Sequence, residues 1–223
     1  MSRAVIASLI VATVQTAFYP AFANCNCDTI PKPPLQSPEK MTRVEGLAWS
    51  YTPAYRKEFD AAIAGATKAI KDNIGKPNVA IVSDIDETLL DNREEFKRHP
   101  SFKSSEFRAW IAEARAPVLA KTYKMLTWAR KNGIPIFLIT GRDESQRKPT
   151  IENLVKRHIG YDGLLMRDNN DDGPAEVSKT KHRESLKKMG FNVILNIGDQ
   201  WSDLYGGHSA HCEKLPNRIY YID

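Results

Sequence analysis

The chain has 223 residues, of which 42% are hydrophobic and 26% are charged, and this composition excludes a disordered chain. The formal net charge of +5 is modest, and the 32 Lys and Arg residues are spread along the chain without a basic block interleaved with aromatic residues. Nucleic-acid binding is therefore disfavoured. We expect one main domain with minor additions, and its mildly basic surface suits small anionic partners.

The first 23 residues differ in kind from the rest of the chain. Arg3 gives a positive start, residues 4–17 carry no charge and are mostly apolar, and residues 21–23 read Ala-Phe-Ala, a typical cleavage signal. This pattern predicts a signal peptide cleaved after Ala23, a secreted or periplasmic location, and no stable membrane span after cleavage. A retained anchor is the alternative, but the apolar run is short for a membrane span.

Under this prediction the three cysteines can form disulfides, because an exported chain meets oxidising conditions. Cys25 and Cys27 lie near the mature N-terminus and Cys212 lies near the C-terminus. We expect one of the first two to pair with Cys212, which leaves one thiol over. The alternative, a metal site that adds His208 or His211, lacks the paired C-x-x-C spacing of structural zinc sites.

The N-terminal half of the mature chain begins with a proline-rich segment at residues 24–45, which predicts an extended arm before a domain at residues 46–223. Apolar residues recur at spacings of three and four between residues 54 and 73, which predicts an amphipathic helix. A short apolar run at residues 79–82 then predicts a buried parallel strand. Residues 89–117 carry many charges and no strand pattern, so we expect a small, mostly helical insertion that could cover the mouth of a site.

The C-terminal half alternates between the two periodicities. Helices are predicted at residues 118–132, 144–158 and 178–189, and strands at residues 134–139, 163–166, 192–197 and 218–222. The connections are too long for hairpins. The fold class predicted by this alternation is α/β, with a doubly wound parallel sheet.

Polar side chains follow three of the predicted strands. Asp84 and Asp86 follow the first, Thr140 the second, and Asp199 and Asp203 a later one. Because the carboxyl ends of parallel strands meet at one edge of the sheet, these residues should converge on one crevice. Carboxylates without nearby histidine or cysteine form a hard oxygen site that suits Mg²⁺.

Other residues near these strand ends can bind phosphate. The hydroxyl of Thr140 and the amides around Gly141 can contact phosphate oxygens, and Lys179 can add positive charge. Arg142 is equally consistent with a phosphate contact and with a surface ion pair. Arg183 could orient an acidic neighbour or be solvated.

Two further patterns have less specific interpretations. Residues 168–173 match the start of a calcium-binding loop, but Lys179 stands where that loop needs a bidentate Glu, so we expect a polar turn. Trp201 is expected to pack or to form a wall of the site.

The four strand-end segments D-I-D-E-T, I-T-G-R, S-K-T-x-x-R and G-D-Q-W-S-D together resemble the motifs of the haloacid dehalogenase (HAD) superfamily. They are most similar to its subfamily IIIB acid phosphatases, which include bacterial class B and class C acid phosphatases and plant proteins related to vegetative storage proteins. The similarity spans about residues 54–223 and includes L-P-N-R-I-Y-Y-I. It implies a HAD-like Rossmannoid sheet with a small helical cap insertion.

The resemblance also implies chemical roles. Asp84 would be the nucleophile that forms an aspartyl phosphate, and Asp86 would protonate the leaving alcohol and then activate water. Thr140 and Gly141 would hold the phosphate, with Lys179 neutralising its charge. Ser178 replaces a common aromatic residue before the motif lysine, which leaves the choice between Lys179 and Lys181 open.

The metal set implied by the resemblance is Asp84, the backbone carbonyl of Asp86, and Asp199. Asp203 would support these ligands or act through water. The cofactor expected from this set is Mg²⁺.

The function implied is an exported, Mg²⁺-dependent acid phosphatase whose partner is a small phosphorylated substrate, a nucleotide or another phosphomonoester. Alternatives are a phosphotransferase or 5′-nucleotidase on the same fold, and a non-catalytic binding or storage protein. The presence of Asp84 removes the main support for the last alternative. The sequence leaves an oligomer possible.

Overall fold

The computed structural model describes Cys27 and residues 41–222, and its centre is a five-stranded sheet in the order β3-β2-β1-β4-β5. All neighbouring strands are parallel, which confirms the predicted sheet. The strands are β1 (Val79–Ser83), β2 (Ile136–Asp143), β3 (Gly163–Arg167), β4 (Asn192–Gly198) and β5 (Cys212–Lys214). Every residue of β1 is buried, as expected for the central strand of a covered parallel sheet.

Helices pack on both faces of this sheet. They are α1 (Arg43–Trp49), α2 (Pro53–Lys71), α3 (Arg93–Arg98), α4 (Ser104–Glu113), α5 (Ala120–Lys131), α6 (Arg147–Lys156), α7 (Ala175–Lys188) and α8 (Trp201–Leu204). Alternate residues of β1 point to opposite faces. Ile81 packs in a cluster that includes residues of α2 and α5, whereas Val82 packs in a second cluster with Leu186 of α7.

Helix α2 confirms the amphipathic helix predicted at residues 54–73. The hydroxyl of Thr52 accepts a hydrogen bond from the backbone N–H of Tyr55, and Pro53 occupies the first turn, where its missing N–H costs nothing. One face buries Phe59, Ala66 and Ile70, together with Ala62. This buried face ties the helix to the core.

The predicted insertion at residues 89–117 folds as α3 and α4. Helix α3 buries Phe96, and helix α4 buries Trp110 and Ile111. Arg108 of α4 forms an ion pair with Asp143 at the carboxyl end of β2. The insertion therefore lies against the edge of the sheet where the polar strand ends were predicted to meet.

One predicted strand, at residues 218–222, is wrong. The fifth strand is β5, and the segment after it has no ladder partner in the described chain. Side chains satisfy its backbone instead, because Asn217 accepts from the N–H of Ile219 and Gln200 accepts from the N–H of Ile222. These bonds, 2.8 and 3.0 Å long, replace the pairing that a strand would need.

The predicted extended arm at residues 24–45 is also wrong at its end, because helix α1 begins at Arg43. Thr42 and Glu45 form a reciprocal capping box that starts this helix. The predicted signal peptide, Cys25 and most of the arm lie outside the described residues. The starts of two later helices also differ from the predicted starts. Helix α6 begins at Arg147, after a short 3₁₀ turn, instead of residue 144, and helix α7 begins at Ala175 instead of residue 178.

A disulfide joins Cys27 to Cys212, with 5.8 Å between their Cα atoms. This confirms the prediction that one N-terminal cysteine pairs with Cys212. Trp201 packs against the disulfide together with Leu204, so its predicted packing role is confirmed. Within the described part of the chain, no helix has the length and apolar character of a membrane span.

Candidate active site

Asp84 lies directly after the central strand β1, and the end of β4 holds it in place. Its backbone N–H donates to the carbonyl of Ile197 over 2.9 Å. Its carboxylate is buried and accepts a 2.6 Å hydrogen bond from Nζ of Lys179. The position combines a carboxylate at the middle of the sheet edge with a cation from helix α7.

Lys179, in the second turn of α7, bridges two carboxylates. Its Nζ contacts Asp84 and also forms an ion pair with Asp203. Burial disfavours the ammonium form, but Asp203 and Asp84 outweigh it and raise the pKa of Lys179 above its usual value. The side chain of Lys181, by contrast, is exposed. The geometry therefore places Lys179, and not Lys181, beside Asp84.

Three buried carboxylates, those of Asp84, Asp199 and Asp203, come together here, with one oxygen of each within 4.8 Å of the others. Burial raises the pKa of Asp84 well above its usual value against the opposing effect of Lys179, and Asp203 raises it further. Burial and Asp203 raise the pKa of Asp199 to about 6. The three carboxylates share two nearby ammonium groups, those of Lys179 and Lys214.

The raised pKa values mark a cluster with more buried negative charge than its cations balance. Hard oxygen ligands in such a cluster fit a divalent cation such as Mg²⁺. Asp203 lies in the same cluster, where its Oδ1 forms an ion pair with Lys179 and its Oδ2 accepts the N–H of Gln200 over 2.7 Å. The donor set therefore fits the predicted metal site, with Asp84 and Asp199 as its common members.

Asp199 is held by side chains from three segments. Thr88 donates to its Oδ1 over 3.1 Å, and Gln200 and Asn217 donate to its Oδ2 over 2.6 and 2.7 Å. Lys214 donates to its backbone carbonyl. Sequence reasoning missed Gln200, Asn217 and Lys214, although Asn217 lies within the L-P-N-R-I-Y-Y-I segment.

The carboxylate of Asp86 is not part of the acidic cluster and is bound to Arg142. Nε and Nη2 of Arg142 donate to its two oxygens over 2.9 and 2.6 Å, and Asn92 donates to Oδ1 over 2.8 Å. Burial alone would raise the pKa of Asp86, but Arg142 and Asn92 outweigh it and lower the pKa. In this arrangement Asp86 is a carboxylate.

Arg142 forms an ion pair, as one of its two predicted roles requires, but the pair is buried and not on the surface. Its side chain is 3% exposed, and its guanidinium contacts Asp86 and Thr150. Asn92 is fixed in turn by Trp110 of the insertion, whose Nε1–H donates to its Oδ1 over 2.8 Å. Sequence reasoning missed this hydrogen bond between Trp110 and Asn92.

Thr140 and Gly141 lie at the carboxyl end of β2, next to β1. Thr140 is 1% exposed, and its Oγ1 accepts a 3.2 Å hydrogen bond from the backbone N–H of Arg142. Gly141 is exposed, and a Cβ built there meets no atom of the described chain within 4 Å. Open space therefore adjoins the backbone of Gly141, which suits close approach of a phosphate group.

The structure also places three other predicted candidates. Arg183 is fully buried and therefore not solvated, and it donates to the backbone carbonyls of Gly207 and of its acidic neighbour Asp203. His211 contacts Glu213 over 2.7 Å, and His208 is not part of a metal group among residues 41–222.

Glu87 forms a buried contact that sequence reasoning also missed. It accepts hydrogen bonds from the N–H of Asn92 and from the hydroxyl of Tyr220, over 2.8 and 2.6 Å. Its φ of 53° lies in the left-handed region, so these bonds hold a strained turn directly after Asp86. The glutamate of the D-I-D-E-T motif, which is Glu87, was the signal from which this contact could have been predicted.

Comparison with known proteins adds an independent line of evidence about the family of this chain. Residues 34–223 match the family described as HAD superfamily, subfamily IIIB (Acid phosphatase). Acid phosphatase 1 of Solanum lycopersicum is 34% identical over 179 residues, which cover 76% of this chain and 70% of that protein. The stem 28 kDa glycoprotein of Glycine max is 36% identical over 155 residues, which cover 66% of this chain and 61% of that protein.

A solved structure resembles the fold. The class C acid phosphatase from Bacillus anthracis matches with a TM-score of 0.67 and 20% identity, over 80% of this chain and 85% of that one. At this identity the likeness is one of fold.

Proposed function

The chain belongs to subfamily IIIB, the acid phosphatases, of the HAD superfamily and is a phosphomonoester hydrolase, and from this premise we propose a specific mechanism and setting. The proposal is that Asp84 forms an aspartyl phosphate, that Mg²⁺ is required, and that the protein acts after export. The observation that carries it is the buried Asp84 carboxylate at the centre of the sheet edge, in contact with Lys179 and beside Asp199 and Asp203.

In the first step, an oxygen of Asp84 attacks phosphorus while the bond from phosphorus to the leaving oxygen breaks. Asp86 gives its proton to that oxygen, so an alcohol leaves. In the second step, Asp86 takes a proton from water, whose oxygen attacks phosphorus and releases phosphate and free Asp84. Lys179 neutralises the phosphoryl charge in both steps, and Thr140 and Gly141 bind its oxygens.

Asp84, the backbone carbonyl of Asp86 and Asp199 would hold the Mg²⁺ ion, with Asp203 beside them. When bound, the ion supplies positive charge that offsets the repulsion between the phosphate and the carboxylates. The acid role requires Asp86 to carry a proton, and in the present arrangement Arg142 stabilises its carboxylate form. Asp86 must therefore take up a proton from solvent and give up at least one of its hydrogen bonds from Arg142 before it protonates the leaving group.

The direct test uses p-nitrophenyl phosphate with the mature protein. We expect hydrolysis that is lost on metal chelation, is restored by Mg²⁺, and falls on the order of a thousandfold or more in Asp84→Asn. The matched control is Asp172→Asn, which changes an exposed aspartate in a loop. Undiminished hydrolysis in Asp84→Asn contradicts the covalent mechanism.

Two controls separate the alternatives. Adding glycerol in excess and measuring transferred phosphate distinguishes hydrolysis from phosphotransfer. Ligand-induced thermal stabilisation without released phosphate would instead indicate a storage or binding protein.

Export is supported by the pattern in residues 1–23 and by the disulfide between Cys27 and Cys212. Fractionation of cells that express the full chain, followed by N-terminal sequencing, should give a product that begins at Asn24. A product that keeps Met1 in the cytoplasmic fraction contradicts this part of the proposal.

A further inference from the structure

A cavity of about 490 Å³ opens at the carboxyl end of strand β3, outside the acidic cluster. The loop that follows β3 forms one wall and helix α7 the other. The lining includes Met166, Asp168, Asn170, Ser178, Lys181 and His182. Its volume lies within the range of small-molecule sites, roughly 300–1,000 Å³.

The cavity lies on helix α7 and strand β3, and the proposed phosphate site lies on the same helix and on the strand next to β3. Ser178 in its wall directly precedes Lys179, whose Nζ lies 2.6 Å from Asp84. On the other side, β2 and β3 pair at Ile139 with Leu165 and again at Asp143 with Arg167. The backbone that carries the phosphate-binding Thr140 and Gly141 therefore runs alongside Met166.

The loop at residues 168–173 is held in a defined shape. Nη2 of Arg167 donates to the carbonyls of Asp171 and Gly173 over 2.8 and 2.6 Å. The side chain of Asn169 accepts from the N–H of Ser145 over 2.7 Å, which ties the loop to the segment after β2. These bonds fix the wall of the cavity before any ligand binds.

The lining alternates hydrogen-bond donors and acceptors. Lys181 offers three N–H donors, Asp168 accepts, and Asn170 does both. Nε2 of His182 lies 3.0 Å from the carbonyl of Met166, which makes Nε2 the donor and leaves Nδ1 as an acceptor in the neutral ring. Among the described residues that line the cavity, none is Phe, Tyr or Trp, and the imidazole of His182 is the one aromatic ring.

We propose that this cavity holds the alcohol part of the substrate and that it selects a polyhydroxylated alcohol, so that the substrates are sugar or polyol phosphates. This inference rests on the proposed function, because it assigns the leaving group of that reaction. Hydroxyl groups donate and accept at once, which matches a lining of mixed donors and acceptors. A nucleobase or aryl group would gain most from stacking on Phe, Tyr or Trp, and this lining offers only the imidazole of His182, which is already bound to the carbonyl of Met166.

The experiment compares kcat/KM for glucose 6-phosphate, AMP and p-nitrophenyl phosphate. The wild-type chain should prefer glucose 6-phosphate to AMP. In Asp168→Asn and Lys181→Met, the ratio of kcat/KM for glucose 6-phosphate to that for p-nitrophenyl phosphate should fall on the order of tenfold, through loss of charged hydrogen bonds to hydroxyls. Both side chains are exposed, so the variants should fold.

Matched controls are Asp172→Asn in the same loop and Lys187→Met at the far end of α7, and both should keep the wild-type ratio. A preference for AMP, or an unchanged ratio in both cavity variants, overturns the inference and leaves the proposed function standing. A wild-type chain that hydrolyses none of the three substrates overturns the proposed function itself, and the inference with it.

Discussion

Removal of the disulfide between Cys27 and Cys212 should weaken the fold by a large fraction of its stability. The bond closes a loop with a sequence separation of 185 residues. In the chain-entropy treatment, cross-linking so long a loop removes unfolded-state entropy worth about 5 kcal/mol at 25 °C. Since a domain of this kind is stable by roughly 5–15 kcal/mol in total, the loss should be easy to measure.

The assay is urea unfolding of the mature protein, compared with the double variant Cys27→Ala and Cys212→Ala and with the reduced wild type. We expect a lower midpoint and a free energy of unfolding reduced by about 2–5 kcal/mol. The slope should rise, because the chain without the cross-link exposes more surface when it unfolds. Cys25→Ala is the matched control and should keep the wild-type curve.

A change below about 1 kcal/mol in both the double variant and the reduced wild type would refute the reasoning, because a closed loop of this length cannot contribute so little in the entropy treatment. Equal losses in the Cys25→Ala control would also refute it. That result would mean that the pairing is not confined to Cys27 and Cys212.

Further predictions concern the acidic cluster and its surroundings. In Gly198→Ala, the new Cβ would lie 2.3 Å from Oδ2 of Asp203, so kcat should fall on the order of a hundredfold while circular dichroism stays native. Arg183→Met leaves buried backbone carbonyls without their donor and should lower the free energy of unfolding in urea by about 3 kcal/mol or more. Partial burial raises the pKa of Asp162, but the hydrogen bonds from Arg130 outweigh this effect and lower the pKa. The pair therefore contributes stability above the unfolded pKa of about 4, and this stability is lost as the pH falls through the lower folded pKa. Asp162→Asn should therefore cost less than about 1 kcal/mol at pH 7, because the pair is partly exposed, and nothing near pH 2.

The alternation of short apolar runs with amphipathic segments was sufficient to predict the sheet and most of its helices. Residues 79–82 predicted a buried parallel strand, because a strand covered on both faces needs apolar side chains on both. Residues 218–222 show where this reasoning fails. Their apolar and aromatic pattern is typical of a strand, but Asn217 and Gln200 satisfy their backbone first.

The location of the site at one edge of the sheet could also be predicted from the sequence. Parallel strands bring their carboxyl ends together, so Asp84, Thr140 and Asp199 were expected to converge even though they are far apart in sequence. What each polar group touches could not be predicted, because the partners come from other segments. Asn217 binds Asp199 from beyond the last strand, and Trp110 reaches Asn92 from the insertion.

By itself, the sequence determined the α/β fold and the acidic strand ends, since local periodicity carries that information. Its export signal also indicated that Cys212 pairs with one of two N-terminal cysteines. Only the tertiary structure decided that Arg142 binds Asp86, that Lys179 bridges Asp84 and Asp203, and that a polar cavity opens beside them. The physical reason is that a buried charge takes whichever partner packing brings within hydrogen-bond distance, and spacing along the chain does not encode that distance.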